Sequence, residues 1–274
     1  MYCLKLKIIP MAAMTFRILP GSILNIATYP FVPPTTLSGF LRRLGMLSVG
    51  LDIPETAINK DNPPVYALPP LYIALGAYPS ANSFSTVHKT YRKGMREFNH
   101  YSFSKLYVEK DKANFQLHTW EYFITEELIG YVVSESLEGL AQFKQLESYG
   151  CKLGKEGFAV LQEVSEPIHL ILDTLAAFPS TIVPMEAILQ SNQFVGSCDI
   201  YNLYRYNWEI KSNNSSIREG FLDNQPTQVE GFIPFVTGYY PQAGNLVPTL
   251  DYYTNKEIYI PVSLVNLLKG EVNV

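Results

Sequence analysis

The beginning of the chain alternates apolar and polar residues with a period of two. From Tyr2 to Ile8 every second residue is apolar, and lysines occupy two of the intervening positions. Because successive side chains of a β-strand point to opposite faces, this alternation predicts a strand with one buried face. Pro10 lacks a backbone donor, and we expect the strand to end there.

Further along the chain the apolar period becomes that of a helix. Between Leu37 and Leu47 the apolar residues recur at the i, i+3, i+4, i+7 spacing, which predicts an amphipathic helix. Thr35 or Thr36 is the expected N-cap, since a hydroxyl oxygen there can accept a bond from a free N–H of the first turn. Gly50 is placed to end the helix.

The remaining segments up to residue 165 continue this order of strands and helices. The predicted central strands are Pro63–Pro79, Phe115–Phe123 and Leu128–Val133. A second helix is expected over 137–146, capped by Ser134 or Ser136 and closed at Tyr149 and Gly150, and Phe158–Val164 predicts a final strand. The order strand, helix, strands, helix, strand predicts an α+β fold whose N-terminal domain, residues 1–165, is a split βαβ or ferredoxin-like unit of the RNA-recognition (RRM) type.

Residues 166–274 are predicted to form a β-rich C-terminal region. The expected strands are Ile168–Leu172, Ser197–Asn202, Tyr206–Ile210, Val229–Val236 and Ile258–Val262, with a brief helical turn at Thr174–Phe178. The region is rich in Tyr and Trp, and these residues are Tyr201, Tyr204, Tyr206, Trp208, Tyr239, Tyr240, Tyr252 and Tyr253. We interpret them as core or as packing against a partner protein, because aromatic residues dominate both settings.

The net charge of −4 conceals an uneven distribution. Residues 1–160 contain sixteen Lys and Arg against thirteen Asp and Glu, whereas residues 161–274 contain five against twelve. The two parts therefore carry +3 and −7, and we expect any polyanion to meet the first part of the chain.

Several protein classes are disfavoured by composition. Two long uncharged stretches, 18–41 and 231–250, are interrupted by prolines that a membrane-spanning helix would not tolerate. The three cysteines are few and far apart, which indicates a reducing, cytoplasmic location, and no spacing of Cys and His suggests zinc. We therefore expect no membrane association, no metal and no cofactor.

The segment Ser83–Lys105 is strongly basic and carries interleaved aromatic residues. Its charges are Lys89, Arg92, Lys93, Arg96 and Lys105 against Glu97, a net +4. Phosphates bind to such cations and bases stack on such rings, so the segment predicts contact with single-stranded nucleic acid. The alternative is a solvated basic hairpin that packs on its own domain. A ferredoxin-like unit needs only a short turn at this place, so we treat about 76–114 as an insertion.

Residues 149–157 form a second candidate for phosphate binding. Three glycines permit close approach of the backbone, and Lys152 and Lys155 supply positive charge. The segment is not a P-loop, since the glycine spacing is one residue short and Glu156 stands where a hydroxyl residue is needed. The alternative is the end of a helix followed by a tight turn into the last strand.

The sequence carries no hydrolase motif among its four histidines. His88, Lys89 and Tyr91 lie close together in the basic segment and could act as base, electrostatic stabiliser and acid of a metal-independent ribonuclease. We nevertheless expect no catalytic residues, because most such clusters only bind.

Two sequence elements resemble a known family. Thr15-Phe16-Arg17 follows the first strand, and residues 29–44 read YPFVPPTTLSGFLRRL. Together they resemble the N-terminus of the Cas-five family, which belongs to the RAMP superfamily and supplies subunits of type I CRISPR surveillance (Cascade) complexes. The basic segment and the loop at 149–157 lie where such proteins have a β-hairpin thumb and a loop before the last strand.

The resemblance implies a non-catalytic subunit that binds and caps the 5′ handle of the CRISPR RNA. It also implies contacts with the backbone subunit and the large subunit, and a role in RNA-guided DNA targeting through the complex. The implied RNA-binding residues are Arg17, Thr35, Thr36, Ser38, Arg42, Arg43, His88, Lys89, Tyr91, Arg92, Lys93, Arg96, Lys152 and Lys155. The alternatives are a precursor-processing endoribonuclease of the same superfamily and a structural subunit that contacts only protein.

Overall fold

A computed structural model of the chain describes residues 1–18, 25–50, 68–95, 115–191, 196–207, 228–238 and 245–269. For residues 92–95, 115–118, 204–207 and 228–233 it describes the backbone. The described residues form strands and four helices, so the predicted α+β class is confirmed. No helix within these ranges is long and apolar enough to cross a membrane.

The secondary structure is numbered in chain order. The strands are β1 (Tyr2–Pro10), β2 (Asn25–Ile26), β3 (Ile73–Pro79), β4 (Ser85–Met95), β5 (Phe115–Thr125), β6 (Leu128–Ser134), β7 (Gly150–Leu153), β8 (Gly157–Val164), β9 (Ile168–His169), β10 (Ile171–Ala176), β11 (Ile182–Pro184), β12 (Asp199–Asn207), β13 (Gln228–Thr237), β14 (Thr249–Thr254) and β15 (Tyr259–Pro261). The helices are α1 (Pro34–Ser48), α2 (Leu137–Ala141), α3 (Met185–Ser191) and α4 (Val262–Lys269), and a 3-10 turn (Gln142–Leu146) follows α2 directly.

The largest sheet has six strands. Five of them lie in the order β3-β6-β1-β8-β7, and β9 pairs with the start of β1. All of these pairings are antiparallel. The alternation predicted for the first strand is present, since Leu4, Leu6 and Ile8 are fully buried. They share one core cluster with Leu37 and Leu41 of α1, so the helix covers this face of the sheet.

Helix α1 begins earlier than the sequence predicts. Pro33 is the N-cap residue and Pro34 the first helical residue, with no side-chain hydrogen bond at the cap. Proline needs no donor at this position and already has a helical φ angle, so it starts the helix without a hydroxyl. The predicted N-cap at Thr35 or Thr36 is therefore wrong. Gly50 does end the helix, with φ of +69°.

The second predicted helix is confirmed with a different end. Ser136 caps α2, because its Oγ accepts the N–H of Gly139 at 3.0 Å. The helical segment continues as the 3-10 turn and stops at Leu146, before the predicted end at Tyr149. Leu140 and Leu146 are fully buried, which fixes this segment against the sheet.

Strand β5 does not belong to the largest sheet. It lies in the middle of a separate three-stranded sheet of order β2-β5-β4. The predicted strand Phe115–Phe123 is present and is central in this smaller sheet, whereas Leu128–Val133 lies in the largest sheet. Alternation along a segment identifies a strand, but pairing with residues distant in sequence decides its sheet.

The C-terminal region contributes two more three-stranded sheets, of order β10-β14-β15 and β11-β13-β12. The predicted strand Ile168–Leu172 is divided into β9 and the start of β10. The predicted helical turn at Thr174–Phe178 is wrong, because Thr174 to Ala176 pair with β14 as a strand. The sequence analysis did not predict α3 or α4. Trp208, Tyr239 and Tyr240 lie outside the described residues.

Residues from both predicted regions share the main core. The cluster that contains β1 and α1 also includes Leu203, Phe235 and Leu264. The hydroxyl of the buried Tyr78 donates to the carbonyl of Leu75 at 2.7 Å and accepts the N–H of Ile182 at 3.1 Å. The domain boundary at residue 165 stays a prediction.

Candidate nucleic-acid interface

The basic segment of the sequence begins in a hairpin formed by β4 and β5. The two strands pair from Ser85 opposite Thr125 to Met95 opposite Phe115. On its other side, β5 pairs with β2 and with Met14, which exchanges two backbone hydrogen bonds of 2.9 and 2.7 Å with Phe123. Phe123 itself is fully buried. The hairpin is therefore fixed to the core at the end that contains Phe123.

Side chains of the hairpin alternate between two faces. Directly paired residues of an antiparallel ladder share a face, and neighbours in sequence do not. One face carries Val87, Lys89, Tyr91, Glu121 and Phe123, and the other carries Thr86, His88, Thr90, Trp120 and Tyr122. His88 and Tyr91 are exposed. His88 consequently lies on the face opposite to Lys89 and Tyr91, and the three side chains do not point to one centre.

Glu121 organises the first of these faces. Its Oε2 accepts the backbone N–H of Thr28 at 3.1 Å, and its carbonyl oxygen accepts the hydroxyl of Thr15 at 2.9 Å. Its Oε1 lies 3.8 Å from the Nζ of Lys89, whose side chain is 54% exposed. Such an exposed and long ion pair contributes little to stability. The strand pairing, rather than this ion pair, fixes the position of Lys89 near the base of the hairpin. Its charge remains open to solvent.

Trp120 organises the second face. Its Nε1–H donates to the Oγ1 of Thr15 at 3.0 Å, and its ring is stacked with that of Tyr122. The Nζ of Lys155 lies 4.0 Å from the centroid of the Trp120 ring. A cation at this distance is attracted by the ring face. The hydroxyl of Tyr122 lies 3.2 Å from Oε2 of Glu156 and donates to it.

Residues 149–157 form a β-hairpin with a tight turn. Strands β7 and β8 pair from Gly150 opposite Val160 to Leu153 opposite Gly157, which leaves only 154–156 as the turn. Of the alternative, the tight turn into the last strand is present, but the segment begins with strand β7 and not with a helix end. Phosphate binding by these residues stays a prediction. The N–H of Lys155 donates to the carbonyl of Thr15 at 3.0 Å and is not available to a ligand.

Gly154 lets this turn approach the base of the β4–β5 hairpin closely. Its φ angle is +73°, and a Cβ at this position would lie 2.8 Å from the ring of Phe16. No L side chain fits both the backbone angle and the space. The close approach of this turn therefore places Lys155 against Trp120 and Glu156 against Tyr122.

Three of the predicted cationic residues lie around the segment that begins at Thr15, with Lys89 and Lys155 on opposite faces of the hairpin. Arg17 is exposed and forms an isolated β-bridge with Thr28, the residue whose N–H is bound by Glu121. Lys89 reaches this region through Glu121, and Lys155 reaches it through Trp120 and the Thr15 carbonyl. Lys152 is also exposed and lies on the adjoining strand β7.

The five predicted residues of α1 do not join this group. Thr35 and Thr36 are half-buried in the first turn, and the Oγ of Ser38 accepts the N–H of Leu68 at 2.8 Å. Arg42 is 3% exposed, so its guanidinium group lies within the protein.

Arg43 is half-buried and acts electrostatically on Cys151. Burial raises the pKa of the Cys151 thiol to about 12, and the Arg43 charge opposes this shift. The arginine therefore faces the layer between α1 and the sheet.

The remaining predicted residues are described incompletely. For Arg92 and Lys93 the structure gives the backbone position in β4, and Arg96 lies outside the described residues. RNA contact by each residue of the predicted set stays a prediction. Within the described part of the chain, no group of three or more His, Cys, Asp and Glu could hold a metal ion.

Comparisons with known proteins give similarity at the level of overall structure only. No protein-family model matches the chain. No curated protein matches it either. A chain in the cryo-EM structure of the Type III-B Cmr-beta bound to cognate target RNA and AMPPnP has a TM-score of 0.46 and 10% identity, over 89% of this chain and 86% of that chain.

A second similar chain occurs in the cryo-EM structure of the Type III-B Cmr-beta bound to cognate target RNA. It has a TM-score of 0.46 and 11% identity, over 98% of this chain and 90% of that chain. Both matches are to chains of a type III-B assembly and not specifically to the type I family that the sequence elements resemble. We base no functional argument on similarity of this degree.

Sequence reasoning missed the role of Trp120, Glu121 and Tyr122 at the base of the hairpin. It assigned them to a central strand, where their side chains would have been core residues. The available signal was the alternation of Trp120 and Tyr122 with Glu121, fifteen residues after the end of the basic segment. That signal becomes specific only with the register that places Trp120 opposite Thr90.

Proposed function

We propose that this protein is a subunit of a CRISPR RNA-guided effector complex and binds the 5′ handle of the CRISPR RNA through the base of the β4–β5 hairpin. The proposal is stated without a type, because the family resemblance rests on two short elements, residues 15–17 and 29–44. Backbone and large subunits are the proposed protein partners.

The observation that carries the proposal is the position of Arg17, Lys89 and Lys155 around the base of the hairpin. Lys89 lies on the face of Glu121, and Lys155 lies over the ring of Trp120 on the opposite face. These cations come from three separate segments of the chain and are all exposed. Single-stranded RNA is bound by cations that neutralise phosphates and by rings that stack on bases. The base of the hairpin carries exposed cations on both faces and the half-buried ring of Tyr122, whereas Trp120 is buried beneath Lys155.

The topology of the largest sheet supports the same proposal. Its four long strands β3, β6, β1 and β8 would correspond to the second, third, first and fourth strands of a ferredoxin-like unit, with β4 and β5 inserted between the second and third. We propose this ferredoxin-like description for the N-terminal part of the chain. Topology alone does not imply RNA binding, which is why the charged group and not the sheet carries the argument.

The test compares two double variants that remove equal charge. Lys89→Gln with Lys155→Gln removes two cations from the hairpin base, and Lys5→Gln with Lys256→Gln removes two exposed cations elsewhere. If two phosphates are neutralised, the slope of log affinity for single-stranded repeat RNA against log salt flattens by about 1.4 in the first variant. The second variant keeps the wild-type slope. Equal slopes in both variants would contradict the proposal.

We also propose that RNA binding occurs without cleavage. His88 lies on the face of β4 opposite to Lys89 and Tyr91, which does not favour a shared reacting centre. Purified protein incubated with precursor repeat RNA in EDTA should leave the RNA intact. Discrete cleavage that is lost in His88→Ala would establish the processing endoribonuclease instead.

The presence or absence of co-purified nucleic acid distinguishes an RNA-binding subunit from a purely structural one. A complex assembled with its protein partners should contain RNA, and treatment with ribonuclease should release this protein from it. Assembly that persists without RNA, together with no measurable affinity of the free protein for repeat RNA, would favour a subunit that contacts only protein.

A further inference from the structure

Strand β10 has an edge that no strand of the described residues occupies. It pairs with β14 on one side, and the order of its sheet is β10-β14-β15. Five of its six residues are exposed. Ile171 is 52% exposed and Leu172 is 63% exposed, although both are large and apolar.

Such an edge offers backbone N–H and C=O groups to an additional strand. Natural proteins usually protect exposed edges with lysine, proline or a bulge. The sequence of β10 is ILDTLA, which contains no lysine and no proline, and its pairing with β14 runs without a register shift. The edge is therefore open to strand addition rather than blocked.

The charge beside this edge is negative. Asp173 lies on β10 and is exposed, and Asp251 lies on the neighbouring strand, opposite Thr174. The Oδ1 of Asp251 accepts the Thr174 hydroxyl at 2.5 Å and remains exposed. Lys256 is in the turn after β14, beyond the end of the β10 pairing. A strand bound along β10 would thus meet Ile171 and Asp173 on one face and Leu172 on the other, with Asp251 one strand further away.

We propose that β10 accepts an extended segment of another protein that carries lysine or arginine beside apolar residues. Main-chain hydrogen bonds would provide affinity, and Asp173 would select the cationic segment, to which the more distant Asp251 adds negative charge. A second copy of this chain would bring the same carboxylates to the interface and lacks this complementarity. The inference is independent of RNA binding, because β10 and β4 belong to different sheets.

The test uses two labelled eight-residue peptides and the full chain. One peptide alternates valine and lysine, and the other alternates valine and glutamate. We expect the lysine peptide to bind at least tenfold more tightly by fluorescence anisotropy and to slow hydrogen exchange of the amides in β10. Equal affinity for both peptides, or binding without protection of β10, overturns the proposal, and neither result depends on a variant.

Charge reversal then locates the site. Asp173→Lys should weaken binding of the lysine peptide at least tenfold and improve binding of the glutamate peptide. Glu186→Lys makes the same change on an exposed residue of α3 and should alter neither affinity by more than twofold. An equal loss in both variants would show a general charge effect and overturn the assignment to β10.

A second substitution distinguishes a partner from self-association. Leu172→Lys removes the most exposed apolar side chain of the edge, and Leu189→Lys is its matched control because Leu189 is 70% exposed on α3. Sedimentation should show a monomer for all forms at micromolar concentration. A dimer that Leu172→Lys abolishes and Leu189→Lys preserves would mean that a second copy occupies the edge, contrary to the proposal.

Discussion

Strands β4 and β10 occupy the same kind of position and carry opposite chemistry. Each lies at the edge of a three-stranded sheet, paired on one side by a single neighbour. β4 contains His88, Lys89, Arg92 and Lys93, whereas β10 contains Asp173 and exposed aliphatic side chains. Cations at an edge oppose strand addition and attract phosphate. The comparison teaches that the side chains, and not the sheet order, decide which class of partner an edge can bind.

The two edges also differ in how their neighbouring strands are anchored. β5, the neighbour of β4, is anchored by Phe123, which lies in the main core, and by Trp120, which donates a hydrogen bond to Thr15. β14 holds β10 through Tyr252, whose buried hydroxyl donates to the carbonyl of Pro248 at 3.1 Å. The Tyr252 hydroxyl also lies 3.4 Å from the carbonyl oxygen of Ala177, the residue that follows β10. Both anchors therefore join segments that are far apart in sequence.

The largest expected effect is the loss of the β5 anchor. Phe123→Ala removes a fully buried ring from the core and should lower the free energy of unfolding by about 3–5 kcal/mol in urea denaturation. Phe84→Ala, at a position 59% exposed beside the same hairpin, is the control and should cost less than about 1 kcal/mol. Similar losses for the two variants would mean that the hairpin base is not fixed by Phe123.

The next effect concerns the turn that docks on the hairpin. Gly154→Ala forces a Cβ against Phe16 at a positive φ angle and should cost about 2–4 kcal/mol in the same assay. Gly50→Ala has a similar φ of +69° with nothing within 4 Å of the added atom, and should cost about 1 kcal/mol. The difference between the two losses in the free energy of unfolding measures the effect of the close contact with Phe16. Equal losses would show that the turn can shift to accept the added Cβ.

A smaller effect, on the salt dependence of RNA binding, tests whether the two edges act independently. Lys89→Gln should flatten the salt dependence of RNA binding by about 0.7, as expected for one phosphate of single-stranded RNA. Asp173→Asn should leave that slope unchanged, because β10 is not part of the hairpin sheet. A change of slope in Asp173→Asn, measured by titration at several salt concentrations, would show that the two edges are not independent.

The smallest effect is a pH dependence at the junction between β5 and β6. The hydrogen bond and charge of Lys7, 2.8 Å away, lower the pKa of Glu127. A carboxyl with a lowered pKa stabilises the fold above its unfolded pKa of about 4.3, and this contribution is lost as the pH falls through the folded value. Glu127→Gln should therefore be less stable than wild type at pH 7.

The free energies of unfolding of wild type and Glu127→Gln, measured by urea denaturation, should become more similar below pH 4. Glu147→Gln is a useful comparison, because Lys144 and the N–H of Val164 lower the pKa of Glu147 at a distance in sequence from the hairpin. Hydrogen exchange of β4 should respond to Glu127→Gln and not to Glu147→Gln. An equal change in the hydrogen exchange of β4 in both variants would show that Glu127 has no specific effect on this hairpin.

Elements whose partners are close in sequence could be predicted well. The alternation of β1, the apolar face of α1, its end at Gly50 and the cap at Ser136 all follow from local rules and are present. The start of α1 was misjudged because two rules competed, and Pro34 at the first helical position outweighed the threonine hydroxyls.

Sheet membership could not be derived from the sequence. Phe115–Phe123 has the composition of a strand in any sheet, and only its pairing with β4, β2 and Met14 separates it from β6. The same limit hid the proposed binding surface, since Arg17, Lys89 and Lys155 are far apart in sequence and are linked in the structure through contacts of the segment at Thr15. In the C-terminal region, α4 was missed because Val262 directly follows a strand of similar apolar composition.

The central position of β1 has a consequence during synthesis. Its partners β6 and β8 lie far downstream, so that Ile8 pairs with Leu128 on one side and Leu161 on the other. At a ribosomal rate of about 5–20 residues per second, roughly 6–24 seconds pass before the first of these partners is made. During that interval an apolar strand with two open edges is exposed on the nascent chain, and chaperone binding to residues 2–10 would be strongest then.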